Sequence, residues 1–182
     1  MSQKEISTFY PENRQAWRDW LLQHHRTVQA VWVLAYKKSA AMPSVSWSEL
    51  VDEALCFGWI DSTRKTVDHQ SFIQFFTRRK PRSSWSKVNK NKIEQLIGAG
   101  LMTPAGLESV KTAQENGSWS ILDEAEDLII PDDLEQALSK RPGALEAFLG
   151  LSKSAKKLHL HQLALAKRPE TREKRIRDIV AR

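Results

Sequence analysis

The aromatic residues of this chain are concentrated in its first half. Thirteen of the fifteen Phe, Trp and Tyr residues occur at or before Trp85, and only Trp119 and Phe148 follow. The first part of the chain can therefore build a bulky aromatic core, whereas the second part has to pack Leu, Ala and Ile. The loop-like sequence 116–118 and the acidic stretch after it lie where the composition changes. We expect two differently built modules that meet near this point.

The net charge of +6 is the sum of four unequal blocks. Residues 1–63 sum to −1, residues 64–92 to +8, residues 93–152 to −8 and residues 153–182 to +7. Either the basic blocks pair with the acidic block inside the protein, or at least one of them meets an anionic partner. Internal pairing is the favoured alternative for 153–182, and for 64–92 both alternatives remain open.

Composition excludes several classes of protein. With 41% hydrophobic and 27% charged residues the chain can form a core and is not a disordered chain. Its longest apolar run, residues 30–36, is far shorter than the roughly 20 residues of a membrane-spanning helix, and its N-terminus lacks the apolar segment of a secretory signal. The single cysteine, Cys56, excludes an intramolecular disulfide and a cysteine-rich zinc site. We expect a cytoplasmic protein without membrane insertion, metal or cofactor.

Hydrophobic periodicity predicts an α+β fold, in which a small antiparallel sheet packs with helices and an all-helical part follows. A helix is expected over 11–24, and a strand covered on both faces over 28–38. Ser46 and Glu49 fit a capping box at the start of a helix that ends near Gly58. The next two segments fit a hairpin of two strands, at 59–68 and 71–79.

The rest of the chain has helical periodicity. The alternation of Leu158, His159, Leu160 and His161 also fits a strand, but the Leu/Ala-rich residues that follow favour a helix. The expected helices are 86–99, 103–116 with Thr103-Pro104 at its start, 132–140, 143–150, 152–167 and 169–181. These elements predict an α+β domain over 1–117, an acidic linker over 118–131 and a helical domain over 132–182.

Four phrases occur in one order along the chain. They are EALCFGWID at 53–61, FFTRRKPRSSWSKVN at 75–89, GLMTPAG at 100–106 and KRPETREKRI at 167–176. In this order and spacing they resemble the YdeI/OmpD-associated family, also labelled bacteriocin-protection-like, over about Phe9 to Val180. The resemblance implies a bacterial protein with an N-terminal α+β part and a C-terminal helical part, and an association with protection or resistance. It supplies no catalytic residues. The chain departs from the family pattern at His159 and His161.

The basic stretch 59–92 is the candidate site. Arg and Lys neutralise phosphates and exposed aromatic rings stack on bases, so this mixture suits an anionic partner or nucleic acid. The helix start at 83–86 offers free N–H groups but lacks the glycines of a phosphate loop, which favours a diffuse surface. The alternative is that this stretch has a structural role, with Phe72, Phe75 and Phe76 packed in the core. The candidate residues are Trp59, Asp61, Arg64, Lys65, Arg78, Arg79, Lys80, Arg82, Trp85, Ser86, Lys87 and Asn89.

Two other constellations carry less weight. Cys56 is near His69 and two aspartates in sequence, as an acyl-transfer nucleophile requires, but it equally fits a small buried hydrophobic residue and no oxyanion motif follows it. The adjacent His24 and His25 diverge on a helix, as do His159 and His161, so no metal site is predicted.

Three functions follow from these residues. The favoured hypothesis is a non-enzymatic binding or protection protein of the YdeI/OmpD-associated type, whose anionic ligand meets the 59–92 surface. The first alternative is a nucleic-acid-binding protein that uses the same surface. The second alternative is an enzyme on small anionic substrates that uses Cys56 or Asp61. The sequence predicts neither the identity of the partner nor the oligomeric state.

Overall fold

The computed structural model describes residues 6–181, which form two compact units. Residues 6–83 and 89–116 form the first, called here the sheet unit, and residues 84–88 and 117–181 form the second, the helical unit. The elements in chain order are β1 (Thr8–Phe9), α1 (Arg14–His24), β2 (Ala30–Tyr36), α2 (Trp47–Cys56), β3 (Trp59–Thr66), β4 (Ser71–Arg78), α3 (Lys87–Gly98), α4 (Pro104–Glu115), α5 (Asp123–Glu126), α6 (Asp132–Ser139), α7 (Ala144–Gly150), α8 (Lys153–Ala164) and α9 (Pro169–Val180). The predicted α+β class is confirmed.

The sheet has four strands in the order β1-β2-β4-β3. Strands β2, β4 and β3 are antiparallel neighbours, as the predicted hairpin requires, and a bulge interrupts β3 between Asp61 and Arg64. Strand β1 pairs in parallel with β2, which makes the sheet mixed. Strand β1 was not predicted from the sequence, because a strand of two residues is too short to show a hydrophobic periodicity.

The two faces of the sheet differ in burial. Val31, Val33 and Phe76 belong to the inner face and are fully buried. Helix α1 packs on this face, where the Trp17 ring lies 5.3 Å from the ring of Phe76, centroid to centroid. On the outer face Trp32 is only partly buried. The expectation that β2 is covered on both faces was therefore wrong, because the first helix packs on one side alone.

Capping side chains determine where helices α1, α2 and α4 begin. Asn13 accepts a hydrogen bond from the Ala16 amide at 2.9 Å, so α1 begins after it and not at Pro11. Ser46 and Glu49 form the predicted capping box at the start of α2. Thr103 caps α4 through the amide of Gly106, also as predicted. These polar side chains satisfy N–H groups that have no partner within the helix.

The helical unit is built around aliphatic side chains. Its buried cluster comprises Ala125, Leu134, Leu138, Phe148, Leu160, Leu163 and Ile179. The segment of alternating Leu and His lies in α8 and is helical, as interpreted. The four-residue helix α5 lies inside the stretch expected to be a linker, and it contributes Ala125 to the core. Within residues 6–181 no helix is both long and apolar enough to span a membrane.

The backbones of helices α2 and α4 are in close contact. A Cβ atom placed on Gly106 would lie 2.2 Å from the carbonyl oxygen of Cys56, which is far inside van der Waals contact. The same carbonyl accepts a hydrogen bond from the Thr103 hydroxyl at 2.6 Å. Glycine is therefore required at 106 because the end of one helix occupies the space of a side chain.

We predict that Gly106→Ala destabilises the protein by about 1–3 kcal/mol, because the two helices have to separate to admit the methyl group. Gly98→Ala is the matched control, since a Cβ atom there meets nothing within 4 Å. Its free energy of unfolding should stay the same or rise slightly. Urea denaturation followed by circular dichroism measures both, and equal stability of the two variants would contradict the close contact.

Candidate functional site

The exposed end of β3 carries two cations on an edge strand. Arg64 and Lys65 lie in the exposed run 62–66, and as adjacent strand residues they point to opposite faces of the sheet. The Arg64 guanidinium lies 3.5 Å from the ring centroid of Phe72, and Lys65 Nζ lies 4.7 Å from that of Trp32. Such contacts contribute about 0.5–1 kcal/mol at exposed sites, so they orient the cations without neutralising them.

Lys80 and Arg82 add two exposed cations in the segment that follows β4. Together with Arg64 and Lys65 they are called here the four free cations, because none of them forms an ion pair with a carboxylate within the part of the chain that the structure describes. Their charges therefore remain available to an anionic ligand.

Arg78 and Arg79 are engaged inside the sheet unit. Arg78 Nε donates to the Val28 carbonyl at 3.0 Å and so ties β4 to the residues before β2. Arg79 Nη1 donates to the hydroxyl of Ser83 at 3.4 Å. Burial lowers the pKa of Arg79 to about 10, which leaves its guanidinium charged at neutral pH. Both side chains support the strand end and are less accessible than the four free cations.

The two candidate tryptophans are buried. Trp59 is 0% exposed and packs edge-on against Trp20, with the ring centroids 5.9 Å apart. Trp85 is 1% exposed and contacts Trp119 in the helical unit, at 5.0 Å between centroids. In this conformation neither ring is open to stacking by a ligand.

Asp61 is held by two hydrogen-bond donors. Its Oδ2 accepts from Trp47 Nε1 at 3.0 Å and from Gln74 Nε2 at 3.2 Å. Gln74 is buried and Trp47 is nearly half exposed, so the carboxylate lies where the sheet interior meets the surface. These two hydrogen bonds hold Asp61 in place at one side of the bulge in β3, and Arg64 lies at the other side. Asp61 therefore has a positioning role.

The remaining candidates lie near the start of α3. Lys87 Nζ contacts Asp127 Oδ1 at 2.7 Å within the helical unit, and this hydrogen bond raises the pKa of Lys87. Ser86 and Asn89 are partly exposed. Further along α3, Lys92 pairs with Asp52 at 2.5 Å in the sheet unit. The basic stretch therefore contains lysines paired with a carboxylate, Lys87 and Lys92, arginines held by uncharged oxygens, Arg78 and Arg79, and the four free cations.

Part of the C-terminal basic block is paired with carboxylates within the helical unit. Lys157 Nζ lies 2.8 Å from the Glu126 carboxylate, and His161 lies 3.2 Å from its other oxygen. Burial would raise the pKa of Glu126, but the hydrogen bond and charge of Lys157 outweigh it and lower that pKa. Arg172 binds Asp133 through two nitrogens, at 2.6 and 2.8 Å. These contacts follow the internal pairing that the sequence favoured for this block.

Sequence reasoning missed a buried charge cluster. The side chain of Glu53 is 3% exposed, and its two oxygens accept from Arg14 at 2.5 Å and from Arg18 at 2.6 Å. Arg18 also donates to the Leu101 carbonyl at 2.8 Å. The available signal was spacing, because Glu53 follows Leu50 by three residues on α2 and so lies on its buried face.

Cys56 lies beside this cluster and is fully buried. Burial, followed by the nearby charge of Glu53, raises the pKa of the Cys56 thiol to about 11. A nucleophilic cysteine needs the opposite shift, because the thiolate is the reactive form. Among residues 6–181 no group of three or more His, Cys, Asp or Glu side chains is placed to hold a metal ion.

Comparison with known families divides the chain into two matches. The family described as "Domain of unknown function (DUF8412)" matches residues 9–109. The family described as "Bacteriocin-protection, YdeI or OmpD-Associated" matches residues 127–182. The resemblance inferred from the sequence is thus confirmed for the C-terminal part, 127–182, whereas residues 9–109 match the DUF8412 family instead. Comparison with curated proteins and with solved structures found no match.

We predict that native Cys56 resists alkylation by iodoacetamide at about pH 8, because both its burial and its raised pKa keep it as the thiol. The urea-unfolded chain should be modified at least about tenfold faster, since its thiol has an ordinary pKa. Mass spectrometry of timed samples measures both rates. Equal rates in the native and unfolded protein would restore a reactive-thiol role.

We predict that the Asp133–Arg172 pair contributes stability that is lost in acid. The hydrogen bond from Arg172 lowers the pKa of Asp133 below its ordinary value of 3.8. The contribution is therefore complete well above 3.8 and decreases as pH falls through the folded-state pKa. Asp133→Asn should lower the melting temperature at pH 7, with a deficit that shrinks below about pH 5.

The control for this pH dependence is Glu173→Gln, since Glu173 is exposed and lies 3.8 Å from Arg177 in a surface pair. Its melting temperature should track the parent protein across the pH range. A deficit in Asp133→Asn that does not change with pH would show that the ion pair is not its cause.

Proposed function

Because the chain belongs to the family of the DUF8412 domain and its residues 127–182 match the bacteriocin-protection, YdeI or OmpD-associated family, we propose that it is a bacteriocin-protection-like protein that binds an anionic partner. We place this activity in the cytoplasm and on the 59–92 stretch, with 1–117 and 132–182 as separate domains joined by the acidic segment.

The observation that carries this proposal is the pattern of charge pairing. Lys92, Lys157 and Arg172 each contact a carboxylate of the protein, whereas the four free cations do not. All four are exposed, with Arg64 and Lys65 towards the turn between β3 and β4, and Lys80 and Arg82 beyond the opposite end of β4. Exposed charges of one sign repel one another, and a ligand of the opposite sign relieves that repulsion.

The two groups considered for catalysis support binding over chemistry. The Cys56 thiol is buried with a raised pKa, and Asp61 is held by the side chains of Trp47 and Gln74. A general acid or nucleophile has to reach its substrate in the reactive protonation state. The exposed cations meet the simpler requirement of a binding surface, which is accessible charge.

We predict that linear polyphosphate binds the protein through the four free cations. The variant Arg64→Gln/Lys65→Gln/Lys80→Gln/Arg82→Gln should bind at least about tenfold more weakly at roughly 50 mM salt, and its affinity should depend less steeply on salt. Isothermal titration calorimetry at several salt concentrations measures both quantities.

The matched control removes the same charge from the helical unit, as Lys140→Gln/Lys153→Gln/Lys167→Gln/Arg168→Gln. All four control positions are exposed. The control should retain the affinity and salt dependence of the parent protein. Equal weakening by both variants would show that net charge, and not this surface, attracts the ligand. Absence of binding by the parent protein would overturn the proposal.

A further inference from the structure

The outer face of the sheet carries a pair of aromatic rings. Trp32 on β2 lies directly opposite Phe75 on β4, and the two ring centroids are 4.7 Å apart with the planes tilted by 48°. Leu34 and Ile73 form the next pair along the same strands. These side chains and Lys65 are called here the outer aromatic face. The assignment of Phe75 to the core was wrong, since Phe75 points away from the helix-covered face and is only partly buried.

The cover of the sheet explains why these rings remain accessible. Trp17 of α1 packs on Phe76, and Trp17 also donates from Nε1 to the Leu50 carbonyl of α2 at 3.0 Å. Both helices are thereby held on the inner face. Large aromatic surface left partly open on a folded domain is unusual enough to mark a contact site.

The charge of this face indicates the chemistry of its ligand. The outward-facing positions of β2, β3 and β4 include no Asp or Glu among the described residues, and Lys65 lies over the Trp32 ring. A second copy of this face offers no carboxylate to pair with Lys65, whereas a negatively charged ligand does. A ligand with flat rings and repeated negative charges complements both features.

We propose that single-stranded nucleic acid binds across the outer aromatic face, with bases stacked on Trp32 and Phe75 and a phosphate at Lys65. This inference rests on the proposed function, because it names the anionic partner. Base stacking on aromatic side chains together with phosphate contacts to Lys or Arg is the general mode by which proteins bind single strands.

The position of Lys65 fits this mode of binding. Its ammonium group occupies one face of the Trp32 ring in the free protein, 4.7 Å from the centroid. The side chain is exposed and flexible, so an arriving base can take its place while the ammonium turns to a phosphate. The cation–π contact that is lost is the weaker of the two interactions.

The experiment compares a fluorescein-labelled oligothymidylate of about 12 nucleotides with an abasic strand of the same phosphate count, by fluorescence anisotropy at roughly 50 mM salt. The thymidylate should bind at least about tenfold more tightly than the abasic strand. Trp32→Ala should abolish this preference. Trp32→Leu, which keeps apolar cover on the sheet, should do the same and serves if the alanine variant does not fold.

Leu22→Ala is the matched control, since Leu22 is a 53% exposed apolar residue on α1, the helix that packs on the inner face of the sheet. It should keep the preference for thymidylate. Equal affinity for the two strands, or an unchanged preference in both Trp32 variants, would overturn this inference. In that case polyphosphate binding through the four free cations would still support the proposed function. If the parent protein bound neither the thymidylate preferentially nor polyphosphate, both the inference and the proposed function would be overturned.

The same variants also test whether the outer aromatic face binds a protein instead of nucleic acid. If light scattering shows a dimer of the parent protein that Trp32→Leu converts to a monomer, and the thymidylate does not bind, then the outer aromatic face is a protein interface and the inference is overturned.

Discussion

The buried carboxylate of Glu53 is the interaction on which the sheet unit depends. Its contacts with Arg14 and Arg18 attach α2 to α1, and Arg18 continues to the Leu101 carbonyl just before α4. A buried charge left without partners costs on the order of 3–5 kcal/mol, so these arginines are what allow Glu53 to lie inside. These contacts hold both helices together on the inner face of the sheet.

The two basic blocks of the sequence have different roles in the structure. In the block on α8 and α9, Lys157 pairs with Glu126 and Arg172 with Asp133, and these pairs connect it to the acidic segment of the helical unit. The block at 64–92 is matched only in part, through Lys87 and Lys92. The four free cations of this block lie on an edge strand and a loop, where backbone exposure also favours binding. Net charge alone could not distinguish these two situations.

Much of the fold could be predicted because the relevant signals are local. The Ser46–Glu49 capping box and the Thr103-Pro104 helix start involve residues close in sequence, and both appear as expected. The burial of Trp59 could not be predicted this way, since a tryptophan beside cations reads as surface until its tertiary neighbours are known. Strand β2 shows the same limit, because an unbroken apolar run does not reveal which face the helices cover.

The surplus of aromatic residues in the first half of the chain has a physical consequence. The inner face already accommodates Trp17 and Phe76, and the contacts of Glu53 join α1 and α2 on that same face. Trp32 and Phe75 therefore remain on the outer face, next to a strand whose cations have no carboxylate partner. Partly exposed rings leave apolar surface in contact with water in a domain that binds nothing. They are favourable for one whose ligand supplies both a stacking surface and the missing negative charge.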